Sequence, residues 1–411
     1  MNVVFYGLVL MACVSAAVFG TAADVGRAAI ASATDAVQLA IGLVGAIALF
    51  LGLMKIVEEA GGLAVMSRLI RPVMVRLFPS VPPDHPAMGA MVMNIAANAL
   101  GLGNAATPFG LKAMKELDTL NTEKGTATNA MVLFLAINTS GVSLLPTGVI
   151  GLRAIKGSLD PAAIFPTTLM ATGLSTLTAI VVTLLLARLP RFRPPESQRL
   201  ADAAVSSARP KSTPAEFLPL FGFLGVLGAM VYGVYRLGEV ASAWILPILI
   251  LTMLTVGVVR GVKIYEVFVA GAREGFMLAV GIIPSLVAIL TAVGMLRKSG
   301  GLGAITSFLG DYTAPLGMPP EVLPLALLRP LSGSGAFALT GDLISTHGPD
   351  TYIGQLASTL NGSMETTFYV LAVYFGSVGL SRTRHAVLSG LAADLMGVVG
   401  SVLAVRWLLV H

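Results

Sequence analysis

Four short polar clusters interrupt otherwise apolar runs of the chain. Asn98, Asn104 and Thr107 fall in "NIAANALGLGNAATP" (94–108). Asn138, Thr139 and Ser140 fall in "LAINTSGVS" (135–143), Arg329, Ser332 and Ser334 in "RPLSGSG" (329–335), and Asn361, Ser363 and Glu365 in "STLNGSMET" (358–366). Amides and hydroxyls beside Gly and Pro suit the coordination of a solute or a small cation by side chains and freed backbone groups. Arg329 would face an anionic group, and Glu365 an amine, a hydroxyl, a cation or a proton. The plainer alternative is that the two pair with each other, since each costs roughly 3 kcal/mol in lipid even on insertion scales. The amides, Asn94 among them, can also serve only as interhelical hydrogen bonds worth roughly 0.6 kcal/mol. Asp394 reads as a buried structural partner. Glu58, Glu59, Arg297 and Lys298 read as helix-end charges in a solvated or headgroup role. Catalytic chemistry finds little support. His85, His347, His385 and His411 are dispersed, and no zinc spacing, Ser elbow or Walker loop occurs. "GLGNAA" lacks the parallel strand that a dinucleotide fingerprint needs. The expectation is therefore no enzyme, no catalytic residue and no metal site.

The elements that must hold these clusters are transmembrane helices. Hydrophobic residues make up 55% of the chain against 11% charged, and the mean hydropathy is +0.86, where soluble domains carry about 25% charged residues. Uncharged runs such as Gly125–Leu152 and Gly275–Leu296 exceed the roughly 20 residues a spanning helix requires. Strict alternation, the mark of a transmembrane barrel, is absent. The net charge of +5 comes without basic runs interleaved with aromatics, so no nucleic-acid partner is expected. The single Cys13 permits no internal disulfide. Crossings are expected near 3–20, 34–57, 126–151, 162–187, 217–236, 240–259, 274–296, 352–379 and 386–409, with re-entrant hairpins at 86–118 and 321–346. Residues 3–20 lack a basic n-region and read as a retained first span. The Pro-, Ser- and Arg-rich stretch 188–214 has no apolar period and reads as a flexible linker.

The two sides of that linker match in order. "MKIVEEAGGLAVMSRLI" (54–70) parallels "VGMLRKSGGLGAITSFL" (293–309); in both halves a hairpin, an interrupted span and a final apolar span follow. Lys and Arg collect on cytoplasmic flanks. With the N-terminus inside, the cytoplasmic segments hold 17 of the 26 basic residues, Arg68, Arg71 and Arg76 among them, whereas the equivalent stretch of the second half, "AITSFLGDYTAPLG", has no basic residue. The fold expected is thus an all-α polytopic membrane protein built of two inverted-topology repeats, each with a re-entrant helical hairpin and a broken transmembrane helix. The linker lies in the cytoplasm and the C-terminus outside. In the first hairpin, "NALGLGN" would be the turn, with Thr107 as N-cap and Pro108 at the first position of the second arm. Arg329 would add a full charge to the equivalent tip. Hairpin tips and helix breaks would meet near the midplane, where solute and coupling ion bind in transporters of this design.

At these motifs the chain resembles a known family. "LGLMKIVEEAGG", "FPSVPPDHPAMGAMVMNIAANALGLGNAATPFGLKAMKELDTLN" and "FLAINTSGVSLLPTGVIGLRA" resemble the A-type spore maturation proteins. "LPLALLRPLSGSGAFAL", "THGPDTYIGQLASTLNGSMETTFYVLAVYFGSVG" and "RHAVLSGLAADLMGVV" resemble the B type. Both belong to the group with a nucleoside-recognition, or gate, domain, itself similar to concentrative nucleoside transporters. The resemblance implies a natural fusion: an A-like unit at 1–187, the linker 188–214 and a B-like unit at 215–411. It implies a bacterial inner-membrane protein, a secondary transporter for a small polar or anionic metabolite, nucleoside- or dicarboxylate-like, with Na⁺ or H⁺ coupling and no other cofactor. A homo-oligomer is a further expectation. A non-transporting scaffold or regulator of the envelope stands as the alternative.

Overall fold

A computed structural model describes the backbone of residues 2–101, 103–141, 143–207, 218–237 and 239–409. Among them every regular element is helical, and one isolated parallel bridge joins Thr126 to Arg382. The first half runs α1 (Asn2–Phe19), α2 (Ala22–Glu59), α3 (Gly62–Leu77), α4 (Pro86–Ala99), α5 (Gly103–Thr119), α6 (Asn129–Thr139), α7 (Thr147–Ile155) and α8 (Ile164–Leu186). After α9 (Glu196–Ser207) come α10 (Leu218–Leu237), α11 (Glu239–Val259), α12 (Ile264–Lys298), α13 (Gly301–Thr313), α14 (Leu323–Leu328), α15 (Gly333–His347), α16 (Tyr352–Ser363), α17 (Thr367–Gly376) and α18 (Ala386–Leu408). Three of these, α2, α8 and α18, are long and apolar enough to cross a bilayer alone, and α12 adds a fourth with a 42° bend between Gly281 and Leu286. Pro284 lies in the bend and cannot supply the N–H that a straight helix needs there. Apolar side chains such as Ile41, Leu395 and Leu403 are exposed on these helices, a surface that lipid solvates and water does not. The chain is a multi-pass membrane protein.

The two halves share one order of elements: long helix, short amphipathic helix, hairpin, broken helix, long helix. The shared Gly-Gly marks explain the first junction. α2 and α12 both stop at a glycine with left-handed backbone, Gly61 and Gly300, each at φ 83°, a conformation open to Gly at little cost. α3 then buries Leu63, Met66 and Met74 and leaves Arg68, Arg71 and Arg76 exposed. The long helices pack as equivalent pairs. α2 lies along α12 with chain directions opposed: a Cβ on Gly275 would come within 2.8 Å of Ala48 Cα, and one on Gly271 within 2.6 Å of Leu51 O. Small residues let the backbones approach this closely. α8 and α18 pair in the same sense, with Ser175 Oγ donating to Ala393 O at 2.8 Å and Gly400 set against Ala171.

Loops close the bundle at two ends. At one, Thr21 Oγ1 donates to Ser299 O at 3.2 Å and Tyr352 OH to Gly317 O at 2.6 Å. The fully buried Arg153 at the end of α7 there donates to Asp350 at 2.8 Å, to Ser158 Oγ at 3.1 Å and to Asp160 O at 3.1 Å. At the other end, Ser381 N and Arg382 N both donate to Gly125 O at 3.0 Å, and Ala127 N returns to Arg382 O at 3.0 Å. In each case the loop between hairpin and broken helix of one half touches the loop after the broken helix of the other.

Several expectations need correction. The crossing expected at 34–57 is a 38-residue helix that starts at Ala22, about 57 Å long, because nothing between Ala22 and Glu59 breaks it. The second hairpin arm starts at Gly103, so Thr107 and Pro108 lie inside α5 rather than capping it. Gly101, at φ 75°, already makes the turn, and the helix restarts without waiting for a proline. The linker is not a free string over its first part: α9 docks by Gln198, only 3% exposed, whose Oε1 accepts from Thr122 N at 2.9 Å and Thr122 Oγ1 at 3.0 Å. Residues 208–217 lie outside the described residues. Arg297 forms an ion pair with Asp342 of α15.

Candidate functional site

Two helix breaks meet back to back. α6 ends because its last turn folds its side chains onto itself: Asn138 Nδ2 donates to Phe134 O at 2.9 Å, Thr139 Oγ1 to Ala136 O at 2.9 Å and Ser140 Oγ to Ile137 O at 2.7 Å. These local bonds compete with continued helix. Gly141 then turns the chain at φ 65°. Across from it, α16 ends at Ser363, Met364 and Glu365 are extended or irregular, and α17 restarts at Thr367. Glu365 N donates to Thr139 O at 3.2 Å. A Cβ on Gly141 would sit 2.8 Å from Met364 C and 3.0 Å from Glu365 N, so backbone passes backbone with no side chain between.

The hairpin tips close on this crossing. Leu144 N donates to Ala99 O at 3.0 Å, and Asn98 Nδ2 to Asn138 Oδ1 at 2.9 Å. In the second half, Arg329 at the tip between α14 and α15 is 5% exposed. Its guanidinium donates to Thr366 Oγ1 at 3.1 Å, to Asn361 O at 3.2 Å and to Met364 O. It therefore caps the open C-terminal carbonyls of α16, and it does not pair with Glu365. Asn361 Nδ2 donates to Thr340 Oγ1 of α15 at 2.8 Å. The hairpins and broken helices are cross-tied by Tyr374 of α17, whose hydroxyl accepts from Asn94 at 3.1 Å and lies 3.4 Å from Asn138 Oδ1. Asn94 also donates to Ala106 O at 2.8 Å, joining the two arms of the first hairpin.

A cavity of about 210 Å³ opens at the crossing. Asn98, Arg329, Asn361 and Glu365 line it, together with Ser143, Phe337 and the start of α7 at Pro146, Thr147 and Gly148. Glu365 is exposed to it while its neighbours on either side are buried. The N-terminus of α7 has no side-chain cap; Thr147 N, Val149 N and Ile150 N donate to the carbonyls of Leu145 and Pro146, and the positive dipole end stands at the wall. The remaining candidates lie behind the wall or beside it. Asn138, Thr139 and Ser140 are buried with their polar atoms engaged, Ser140 Oγ also meeting Thr176 Oγ1 at 2.9 Å. Ser363 Oγ faces Ser401 Oγ at 3.2 Å. Ser332 accepts from Gly335 N at 3.0 Å and so caps the N-terminus of α15. Ser334 and Thr107 are half-buried on their helices and do not reach the cavity. The side chain of Asn104 lies outside the described residues. Asp394 of α18 is buried, but neither carboxylate oxygen has a hydrogen-bond partner, unlike the structural partner expected.

Sequence reasoning missed Phe337, Tyr374 and the mouth residues of α7. Tyr374 was detectable as a hydroxyl in an apolar span, which usually seeks a partner when buried. Phe337 and the α7 N-terminus carry no such mark, because apolar and Gly-Pro residues look alike whether they line a cavity or fill a core.

Broken helices, paired hairpins and a polar cavity at their crossing define a membrane protein of transporter-like type. The model of the Gate family, described as nucleoside recognition, matches residues 40–156 and 279–381. The two segments cover more than half of the chain and the same elements of each half, from within α2 or α12 through the broken helix. The chain belongs to this family. Spore maturation protein B of Bacillus subtilis (strain 168) is 47% identical over 167 residues, 41% of this chain and 94% of that protein. Spore maturation protein A of the same organism is 42% identical over 181 residues, 44% of this chain and 92% of that protein. Two nearly whole relatives each occupy less than half of this chain, which is a fusion of an A-like and a B-like unit.

Proposed function

We propose that the protein is a secondary transporter that moves a small polar or anionic solute through the cavity between its two helix breaks. One observation carries this reading: Asn98, Arg329, Asn361 and Glu365, drawn from both hairpin tips and one helix break, converge on a single cavity beside the start of α7. Irregular backbone at that depth is tolerated where it lines a site. The inverted arrangement of the halves is supported by the opposed directions of two equivalent helix pairs, α2 with α12 and α8 with α18. It is supported again by the exchange of loop contacts at the two ends. In this reading α9, Arg382 and Arg384 lie in the cytoplasm and Arg153 with Asp350 outside, across a bacterial inner membrane, an orientation that the bias of basic residues supports. The domain limits 1–187 and 215–411, the absence of catalysis and a homo-oligomeric assembly belong to the same reading. A cavity holding both Arg329 and Glu365 suits a solute with hydroxyls and a polar ring or carboxylate; the nucleoside label of the family falls in this class.

The test is a thermal-shift screen of purified protein with uridine, adenosine and succinate. A ligand at about 100 times its Kd stabilises by about 2.7 kcal/mol. At least one compound should raise the melting temperature, and Glu365→Gln should abolish that rise while leaving the ligand-free melt unchanged. A response to none of them, followed by none across a broader metabolite panel, would favour a non-transporting scaffold.

A further inference from the structure

Asp394 lies in the third turn of α18 and is 4% exposed. Its face of the helix carries Gly390 one turn before it and Gly397 just after it. A Cβ at Gly390 would lie 2.7 Å from Thr367 Cγ2, and Gly397 packs on the Met364 side chain. The carboxyl therefore confronts the α16–α17 break from behind the cavity. Neither of its oxygens has a donor within 3.5 Å, and the fully buried Thr367 hydroxyl is the side-chain donor that faces it. The packed neighbours offer little charge. α6 and α8 carry no ionisable side chain. α16 brings Tyr352 at its far end, and α17 brings Tyr369, which is exposed, and Tyr374, which is bound to Asn94. His385, Arg384 and Arg382 lie more than two turns away at the start of α18. Among the described residues Arg329 is the one cation whose field reaches Asp394, and the same guanidinium also feels Glu365 on the cavity side. An ionised carboxylate with no donor is costly in a dry interior, and such groups take up a proton or an ion instead.

We propose that Asp394 is the coupling residue of the transport cycle: it carries a proton in the empty arrangement described above, bound solute strengthens its hold on that proton, and it releases the proton after the solute has left on the other side of the membrane. The proposal rests on the transporter reading above. In the release step the carboxyl O–H bond breaks, the proton passes to a water molecule, and the carboxylate left behind is balanced by Arg329. Acceptor atoms of a solute drawn to Arg329 weaken its hold on that carboxylate, so solute and proton favour each other's binding and travel in the same direction. Linkage makes the effect reciprocal.

The experiment is infrared difference spectroscopy of the full chain in lipid nanodiscs, in sodium-free buffer and then with NaCl, on the wild type, Asp394→Asn and Glu365→Gln. Uridine, adenosine and succinate are the solute probes. A protonated-carboxyl C=O band is expected in wild type at pH 7, absent from Asp394→Asn and kept in Glu365→Gln, strengthened by whichever probe raises the melting temperature. Asparagine mimics the protonated acid, so Asp394→Asn should melt at the wild-type temperature. A band that survives Asp394→Asn, or no band in wild type, overturns the proposal; so does a band that NaCl removes, which would make the site a sodium site. A fall in the melting temperature of Asp394→Asn overturns it as well, since that marks an ionised partner of Arg329. If the band is present and no solute binds, the transport reading falls and the coupling role falls with it. If solutes bind and the band is missing, the coupling role alone falls.

Discussion

Gly141→Ala tests the crossing of the two helix breaks. Two separable costs apply. At φ 65° a Cβ carries the left-handed penalty of roughly 1–2 kcal/mol. The added methyl would also stand 2.8 Å from Met364 C and 2.9 Å from Met364 Cα. These are backbone atoms, held by the bond from Glu365 N to Thr139 O and by Arg329 on Met364 O, so they cannot swing aside as a side-chain tip would. Overpacking of this kind costs roughly 1–3 kcal/mol. The substitution should therefore destabilise the fold by about 2–5 kcal/mol. The matched control is Gly89→Ala in α4, which has ordinary helical backbone and nothing within 4 Å of its would-be Cβ; there the change should be neutral or stabilising by up to about 1 kcal/mol. Apparent melting temperatures of the three proteins, purified in one detergent and scanned at one rate, give the comparison. A Gly141→Ala variant that melts with wild type would mean that the two breaks do not touch, and the description of the cavity would go with it.

Arg153→Ala should destabilise by about 3–5 kcal/mol, as expected when one member of a buried charged network is removed, because Asp350, Ser158 Oγ and the Asp160 carbonyl lose their common donor; a thermal melt with no change would place this end of the bundle outside the folded core. His385 is fully buried with neither ring nitrogen bonded, and burial first, the Arg384 charge second, push its pKa down to about 4. The neutral ring therefore contributes stability that is fully present above about pH 6.5 and is lost as pH falls toward about 4. His385→Phe keeps the ring against Phe192 without the titration, so its melting temperature should fall less than that of wild type between pH 7 and pH 4; parallel curves would show that His385 does not carry the effect.

What could be read without coordinates follows from chemistry that acts over a few residues. Apolar runs longer than a bilayer crossing must be helices, since lipid offers backbone groups no partner. Gly61 and Gly300 announce the end of a helix because left-handed backbone is a property of one residue. Polar clusters inside apolar runs mark breaks for the same reason, and Asn138 and Asn361 both fall at such breaks. Orders of such marks repeat along a chain, so the two halves could be matched by eye. Partners could not. Thr107-Pro108 looked like a helix start and lies within α5, because Gly101 had already made the turn. α9 looked unstructured because Gln198 has value only where Thr122 waits for it. Arg329 and Glu365 invited an ion pair, but the open carbonyls of α16 stood nearer, and a guanidinium goes to the acceptors that geometry brings within reach. Which polar atoms are left over for a solute or a proton is decided by subtraction, after every other contact has been made. Only the packed structure performs that subtraction, and it leaves Glu365 facing a cavity and Asp394 behind it without a donor.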